Sequence, residues 1–276
     1  MPQLSVLIPW RDRQEIRTTL EQNVAILRQF DSEILILNCG GDAERLKMLL
    51  RDSKISSPPE IHITDLLHAH FNKSYALNIG AYLSRSSRIF VLDADILLNV
   101  ELIRDALDIL ERSAFATVEK VFESQPIDYL FEGSKYKPLS VTRAHFIDIS
   151  LADGNTVKIC SYRSDEVEGS RAGPGLVFVR REDLIRIEGY NADLQYWGWE
   201  DLDLAVRLKS VLALEHCEVG SVVHLSHTDD ARALSGKSRR DSNMSNLGAC
   251  CERYAQGNFQ GTYSRDVQSW LSKSSR

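Results

Sequence analysis

The sequence lacks any apolar stretch long enough to cross a membrane, since its longest apolar runs have the length of a single strand. No signal peptide is visible either, because Trp10, Arg11 and Asp12 interrupt the apolar start. These two absences lead us to expect a cytoplasmic protein without a transmembrane segment.

A basic excess is also missing. The net charge is -6 and the isoelectric point is near 5.7, whereas a nucleic-acid binder needs a basic surface to displace counterions. The five cysteines are an odd number without metal-ligand spacing, and the adjacent pair Cys250 and Cys251 is poorly suited to a disulfide. We interpret all five as reduced thiols. Nucleic-acid partners and a disulfide framework are therefore not expected.

The first part of the chain alternates strand and helix patterns. Short apolar runs at Leu4–Pro9, Ile34–Leu37, Ile61–Ile63 and Ile89–Leu92 are typical of buried strands, and segments with helical spacing lie between them. Asn99 is a candidate N-cap for one more helix. Such β-α repeats predict an α/β fold with a mostly parallel central sheet and helices on both faces. Ligands of these sheets bind beyond the carboxyl ends of the strands.

The second part is less regular. A hairpin is predicted from residues 145–150 and 156–162, a strand at Leu176–Val179, a helix from Glu200 and a strand at Val219–Val223. Residues 235–246, rich in Ser, Arg and Asn, are predicted to be a mobile basic loop that either closes over a bound diphosphate or is a solvated tail. We therefore predict one domain over residues 1–234, with halves 1–112 and 113–234, followed by a loop and tail at 235–276.

Two patterns at strand ends suggest a metal site. Asp93 and Asp95 follow a buried strand, and alternation along an extended backbone would send both carboxylates to one side, where they could hold Mg²⁺ or Mn²⁺. His224 and His227 follow another strand and could complete such a site. The alternative for the Asp pair is a solvated strand end, and for the His pair it is two structural histidines.

Aromatic residues lead into acidic residues at Tyr196–Asp203. The acids alone are common at the first turn of a helix, where they satisfy free amides and the helix dipole. The preceding tyrosine and two tryptophans point further, because exposed rings often carry sugar rings and a carboxylate beside them could deprotonate a hydroxyl. A final pattern, Pro9–Arg13, places two arginines after the first strand, where they could bind phosphate or form an ordinary turn.

In this order the patterns resemble the GT-A glycosyltransferases, most of all the β-1,4-galactosyltransferase group and its bacterial family-2 relatives. The resemblance extends from Leu4 to His227 with a gap at 115–170. Five blocks carry it: Pro9–Arg13 resembles P-F-R-N-R, Phe71–Gly80 resembles F-N-R-x-x-x-L-N-x-G, Phe90–Asp95 resembles the D-x-D strand, Gly175–Tyr190 resembles the G-G-V strand and its helix, and Trp197–Asp203 with the two histidines resembles W-G-W-G-G-E-D-D-D and the closing metal ligands.

The resemblance implies a UDP-sugar donor, Mn²⁺ (or Mg²⁺), and a glycan, lipid-linked sugar or peptide as acceptor. It implies that the nucleotide-sugar site consists of Pro9, Arg11, Arg13, Phe71, Lys73, Asp93 and Ala94. The implied acceptor site consists of Gly175, Tyr196, Trp199 and Glu200. Asp95, His224 and His227 are the implied metal ligands, and Asp201 is the implied general base of an inverting transfer.

The sequence departs from the family in two ways. The W-G-W-G-G-E-D stretch is two glycines short, and the usual membrane anchor and stem are absent. Three alternatives stay open. One is a retaining enzyme like the polypeptide N-acetylgalactosaminyltransferases, which share a similar W-G-x-E-N and late histidine. Another is a nucleotide-sugar pyrophosphorylase, although 9–13 lacks the glycines of its loop. The last is a non-catalytic sugar-binding module.

Overall fold

A computed structural model of the chain describes residues 1–53, 55, 60–66, 68, 70–125, 138–227 and 238–274. Ten strands lie in this part of the chain. They are β1 (Leu4–Trp10), β2 (Ser32–Asn38), β3 (Ile61–Asp65), β4 (Arg88–Val91), β5 (Ile96–Leu97), β6 (Ala114–Glu123), β7 (Thr142–Ser150), β8 (Thr156–Asp165), β9 (Ser170–Arg180) and β10 (Glu215–His224).

Eight helices accompany the strands in the same described ranges. They are α1 (Ile16–Arg28), α2 (Ala43–Arg51), α3 (Lys73–Leu83), α4 (Val100–Leu110), α5 (Arg181–Arg186), α6 (Glu200–Leu212), α7 (Arg239–Ala255) and α8 (Tyr263–Ser274). Asn99 caps α4 as predicted, since its side chain accepts a hydrogen bond from the Leu102 amide. Among the described residues no helix is long and apolar enough to cross a membrane.

The strands form one sheet in the order β3-β2-β1-β4-β9-β6-β10-β5, with β8 joined to β9 and β7 to β8. The β3-β2-β1-β4 half is parallel, as predicted. Beyond β4 the sheet is mixed, because β9 runs antiparallel to both β4 and β6 while β6 and β10 pair in parallel. The prediction of a mostly parallel sheet thus holds for one half only. The antiparallel hairpins β7-β8 and β8-β9 reverse the chain direction, whereas a crossover helix brings the next strand back in the same direction.

Both faces of the sheet are covered by helices. Along β1, Val6 and Ile8 enter a core with α1 and α4, whereas Leu7 between them enters a second core with α3 and α6. Burial on both faces explains why β1 and β2 are continuous apolar runs rather than alternating ones. The helices leave the carboxyl ends of β1 and β4 open, and these ends form part of the candidate site.

The predicted mobile loop at 235–246 is wrong from Arg239 onward, where the chain forms the first turns of α7. Residues 235–237, including Lys237, lie outside the described residues. Ser238 caps the helix by accepting a hydrogen bond from the Asp241 amide. The buried face of α7 begins with Ser242 and Asn246, so it gives no apolar periodicity that would predict a helix.

Candidate active site

All residues predicted for the donor, the acceptor, the metal and the base line one cavity of about 1580 Å³. They are Pro9, Arg11, Arg13, Phe71, Lys73, Asp93, Ala94, Asp95, Gly175, Tyr196, Trp199, Glu200, Asp201, His224 and His227. The cavity therefore brings together residues from both halves of the chain.

Asp93 and Asp95 follow β4 through a turn rather than along an extended strand. Two α1 side chains hold this turn: Thr19 Oγ1 donates to the Ala94 carbonyl at 2.9 Å, and Asn23 Nδ2 donates to the Ile96 carbonyl at 2.7 Å. The expectation of an extended backbone at this pair is therefore wrong, although both carboxylates line the same cavity. The turn separates them, so that Asp93 approaches Lys73 while Asp95 approaches the two histidines.

Asp95, His224 and His227 form a group whose possible ligand atoms lie within 4.8 Å of one another. Asp95 Oδ2 lies 3.0 Å from His227 Nε2 and 3.6 Å from His224 Nε2. Both imidazole rings thus turn the same nitrogen toward one carboxylate. One carboxylate and two imidazoles are a donor set that suits a borderline divalent ion such as Mn²⁺.

Glu123, at the end of β6, was missed by the sequence reasoning. Its Oε2 lies 2.7 Å from His224 Nδ1, because β6 and β10 pair with these two residues in register. A carboxylate on Nδ1 fixes the ring so that Nε2 faces Asp95. Burial works against this charge, but hydrogen bonds from His224 and the nearby Arg171 outweigh it and lower the pKa of Glu123. The only sequence signal was an acid at a strand end, in the stretch where the family resemblance has a gap.

Lys73 lies between two carboxylates of the cavity. Asn72 caps α3 by accepting from the Tyr75 amide at 2.9 Å, which places Lys73 on the first turn. Lys73 Nζ lies 3.4 Å from Asp93 Oδ1 and 3.3 Å from Asp201 Oδ1. Burial alone would lower the pKa of Lys73, but the carboxylates of Asp201 and Asp93 outweigh it and hold the pKa well above its ordinary value. Lys73 is therefore a cation at neutral pH.

Glu200 and Asp201 begin α6 as predicted. Burial, followed by the negative charge of Asp201, raises the pKa of Glu200 from 4.5 to about 7, although Lys73 opposes the shift. Burial thus favours the neutral form of Glu200, although a position at the start of a helix favours the charged form. Part of the Glu200 population is protonated at neutral pH.

Gly175 gives Asp201 its space. A Cβ atom at position 175 would lie 2.5 Å from Asp201 Oδ2 and 3.1 Å from Lys73 Nζ, closer than van der Waals contact permits. A larger residue would have to displace the Asp201 carboxylate, so glycine allows the close approach of the backbone to this side chain. The residue was predicted for this site from the family resemblance, and the structure supplies this physical reason.

The aromatic residues before α6 divide into two kinds. Tyr196 and Trp197 are 47% and 38% exposed beside the cavity, whereas Trp199 is 3% exposed and packs with Val206 and Tyr254 in a third core. The view of Trp199 as part of an exposed platform is wrong, because a left-handed backbone at Trp199 turns its ring inward. Trp197, which is not among the residues predicted for the acceptor site, has an exposed ring instead.

Comparisons with known proteins agree with this architecture. Residues 160–228 match the sequence model of the N-terminal domain of galactosyltransferase. Among solved structures, the chain is similar to GalNAc-T7 with UDP, GalNAc and Mn²⁺, at a TM-score of 0.58 and 14% identity over 91% of this chain and 48% of that one. It is also similar to the mannosyltransferase PcManGT from Pyrobaculum calidifontis with GDP-Man and Mn²⁺, at a TM-score of 0.55 and 13% identity over 99% of this chain and 74% of that one.

At these identities the structural similarity establishes the fold, which is GT-A as predicted. The chain spans about half the length of the GalNAc-T7 chain it matches. The matched segment 160–228 contains Gly175, Asp201 and both histidines. The family match and the fold agree with the resemblance to the GT-A glycosyltransferases.

Proposed function

We propose that this chain is a divalent-metal-dependent glycosyltransferase that moves a hexose or N-acetylhexosamine from a UDP-sugar to an acceptor hydroxyl. The observation that carries the proposal is the convergence of Asp95, His224 and His227 in the cavity that also contains the Lys73–Asp201 pair. A metal-ligand set and a candidate base in one cavity fit group transfer from a diphosphate better than sugar binding alone.

Asp95, His224 and His227 would hold Mn²⁺ (or Mg²⁺). Their carboxylate and imidazole donors fit such an ion, and Glu123 orients one of the rings toward it. When bound, the ion offsets the negative charge that develops on the departing diphosphate.

Pro9, Arg11, Arg13, Phe71, Lys73, Asp93 and Ala94 would form the donor site. Arg13 Nη1 lies 3.0 Å from His227 Nδ1, so a guanidinium stands directly beside the metal ligands. A guanidinium binds phosphate oxygens in a planar, bidentate way, which suits this position. Lys73 would add a point charge between the donor and the base.

Asp201 would be the general base. The bare backbone of Gly175 leaves room beside Asp201 Oδ2, and Lys73 holds the carboxylate in place. The base takes the proton from the acceptor hydroxyl while that oxygen forms the new bond to the anomeric carbon and the bond to the diphosphate breaks. One displacement of this kind inverts the anomeric centre.

Glu200 is the rival for the same role, since a pKa of about 7 also suits a base near neutral pH. Gly175, Tyr196, Trp199 and Glu200 form the acceptor site in our proposal, with Trp197 added because its ring is exposed. A retaining enzyme is the second candidate for stereochemistry.

The test is a panel of UDP-sugars and GDP-mannose, incubated with glycan, lipid-linked and peptide acceptors and followed by mass spectrometry. We expect transfer from a UDP-hexose or UDP-N-acetylhexosamine with Mn²⁺ and none with EDTA. Full transfer in EDTA contradicts metal dependence. Conversion of UTP and a sugar 1-phosphate would instead indicate a pyrophosphorylase, and proton NMR of the product distinguishes inversion from retention.

A further inference from the structure

The backbone before α6 adopts conformations that need outside support. Tyr196, Gly198 and Trp199 have φ values of 69°, 94° and 74°, in the left-handed region. Two of these residues are aromatic, and bulky side chains rarely occupy that region. Such a backbone persists only where its surroundings hold it in place. We call Gln195–Trp199 the aromatic loop.

Two side chains of α7 provide this support. Ser242 Oγ donates to the Trp197 carbonyl at 2.8 Å and accepts from the Trp197 amide at 3.1 Å. Asn246 Nδ2 donates to the Gln195 carbonyl at 3.0 Å and to the Gly198 carbonyl at 2.8 Å. Both side chains are buried. Ser242 and Asn246 lie one helical turn apart, so a single face of α7 satisfies the polar backbone groups of the aromatic loop.

The same helix contacts the loop at two more points. A Cβ atom at position 198 would lie 2.5 Å from Asn243 Oδ1, so a larger residue would have to displace the Asn243 side chain, and the φ of 94° also favours glycine there. The Arg239 guanidinium carbon lies 5.4 Å from the centre of the Trp197 ring, within cation–π range. Helix α7 thus contacts both the backbone and the ring of Trp197 and thereby fixes the position of this residue.

Helix α7 is also anchored to the helix that begins with Glu200 and Asp201. Tyr254 Oη donates to Asp203 Oδ1 at 2.6 Å, and Asp203 pairs with the buried Arg207 at 2.8 Å. Asp203 is therefore a structural acid, although it belongs to the acidic run at the start of α6. Because α7 holds both α6 and the aromatic loop, it fixes the loop relative to the proposed base.

We propose that Ser242 and Asn246 are positioning residues that set the acceptor affinity by holding Tyr196 and Trp197 at the edge of the cavity. They lie outside residues 160–228, so the family match does not include them. The proposal rests on the proposed function, since it takes the aromatic loop as part of the acceptor site.

Ser242→Ala and Asn246→Ala test it, with Ser245→Ala as the matched control because Ser245 is exposed on the same helix. For the acceptor identified in the panel, we expect the acceptor KM to rise about fivefold for Ser242→Ala and about tenfold for Asn246→Ala. The UDP affinity with Mn²⁺, measured by calorimetry, should stay within about twofold, because the donor contacts are untouched. Ser245→Ala should match the wild type in both.

A second measurement needs no acceptor. Trp197 is the most exposed of the four tryptophans whose environment the structure describes, so a change in its loop alters the quenching of fluorescence by acrylamide. We expect stronger quenching in Ser242→Ala and Asn246→Ala than in Ser245→Ala. If Asn246→Ala does not fold, Ser242→Ala alone tests the proposal. This variant should fold, because alanine is favourable within a helix.

An unchanged acceptor KM together with unchanged quenching would overturn the proposal. A loss of UDP affinity that accompanies the rise in acceptor KM would also overturn it, because it would indicate damage to the whole cavity. These results differ from failure of the proposed function itself. In that case the wild-type protein would neither bind UDP with Mn²⁺ nor transfer sugar.

Discussion

The two ends of the cavity are built in different ways. The donor end (Arg13, Lys73, Asp95, His224 and His227) lies at or just beyond the ends of β1, β4 and β10 and on the first turn of α3. The acceptor end (Gln195–Trp199, Glu200 and Asp201) consists of a loop with left-handed residues and the start of α6. The donor end is therefore held by the ends of paired strands and by α1, which supports the Asp95 turn, whereas the acceptor end depends on side chains from α7.

This difference predicts that changes at one end leave the other intact. Asp201→Asn should lower kcat by ~10²–10⁴-fold, because general-base catalysis contributes about that much. The affinity for UDP with Mn²⁺ should hardly change, since the base acts on the acceptor hydroxyl. Steady-state kinetics and calorimetry on the same preparation measure both.

Glu200→Gln is the comparison for that experiment, and it should mainly raise the acceptor KM. If Asp201→Asn retains activity while Glu200→Gln is inactive, the base is Glu200. If both variants stay active, the acceptor end is misplaced.

The next prediction concerns the donor end. Glu123→Gln should weaken Mn²⁺ binding by ~10–100-fold, because the variant loses the carboxylate that orients His224. The fold should survive, since the amide still reaches the same ring. Calorimetric titration of Mn²⁺ in the presence of UDP measures the change. Glu168→Gln is the matched control, as Glu168 pairs with Lys120 away from the histidines. Equal Mn²⁺ affinity in both variants would show that Glu123 does not support the metal site.

A further effect is expected in stability at the acceptor end. The pKa of Glu200 rises from 4.5 to about 7 on folding, so below about pH 4.5 both states carry its proton. Between about pH 4.5 and 7 the folded state keeps a proton that the unfolded state loses, and the free energy of unfolding falls as pH rises. This loss is on the order of 3 kcal/mol at most, and it is complete above pH 7.

Glu200→Gln lacks that loss, so its stability relative to wild type should be higher at pH 8 than at pH 4.5. Urea unfolding at the two values measures the difference. Glu101→Gln, an exposed acid in the first turn of α4, is the matched control and should show no such dependence. If the free energy of unfolding of Glu200→Gln relative to wild type is the same at both pH values, folding does not raise the pKa of Glu200.

The same contrast explains what could be predicted from the sequence. Apolar strand runs followed by polar residues are a local signal, so β1 and β4 were predicted close to their observed bounds, and the structure brings together the predicted group Asp95, His224 and His227, which could hold a metal ion. The antiparallel insertion of β9 between β4 and β6 was not predicted, because pairing between distant segments leaves no local pattern. Glu123 was missed for the same reason.

The contacts by which α7 supports the acceptor end were even harder to predict from the sequence. The buried face of α7 presents Ser242 and Asn246 to a backbone, and its remaining buried positions are Cys250 and Tyr254. In its sequence pattern, a helix with a polar buried face is indistinguishable from a solvent-exposed segment. The inward turn of Trp199 was also invisible, since it depends on a left-handed φ at a residue that rarely adopts one. The boundaries proposed at 112 and 234 stay predictions.

The central claim is that Asp95 and the two histidines hold an ion through which the donor binds, and Mn²⁺-dependent UDP binding tests it most directly. UDP is titrated by calorimetry into wild type, Asp95→Ala and the exposed-acid control Asp105→Ala, each with Mn²⁺ and with EDTA. We predict at least about tenfold tighter UDP binding with Mn²⁺ in wild type and in Asp105→Ala, and no metal dependence in Asp95→Ala. Equal UDP affinity of the wild type in Mn²⁺ and in EDTA would contradict the claim.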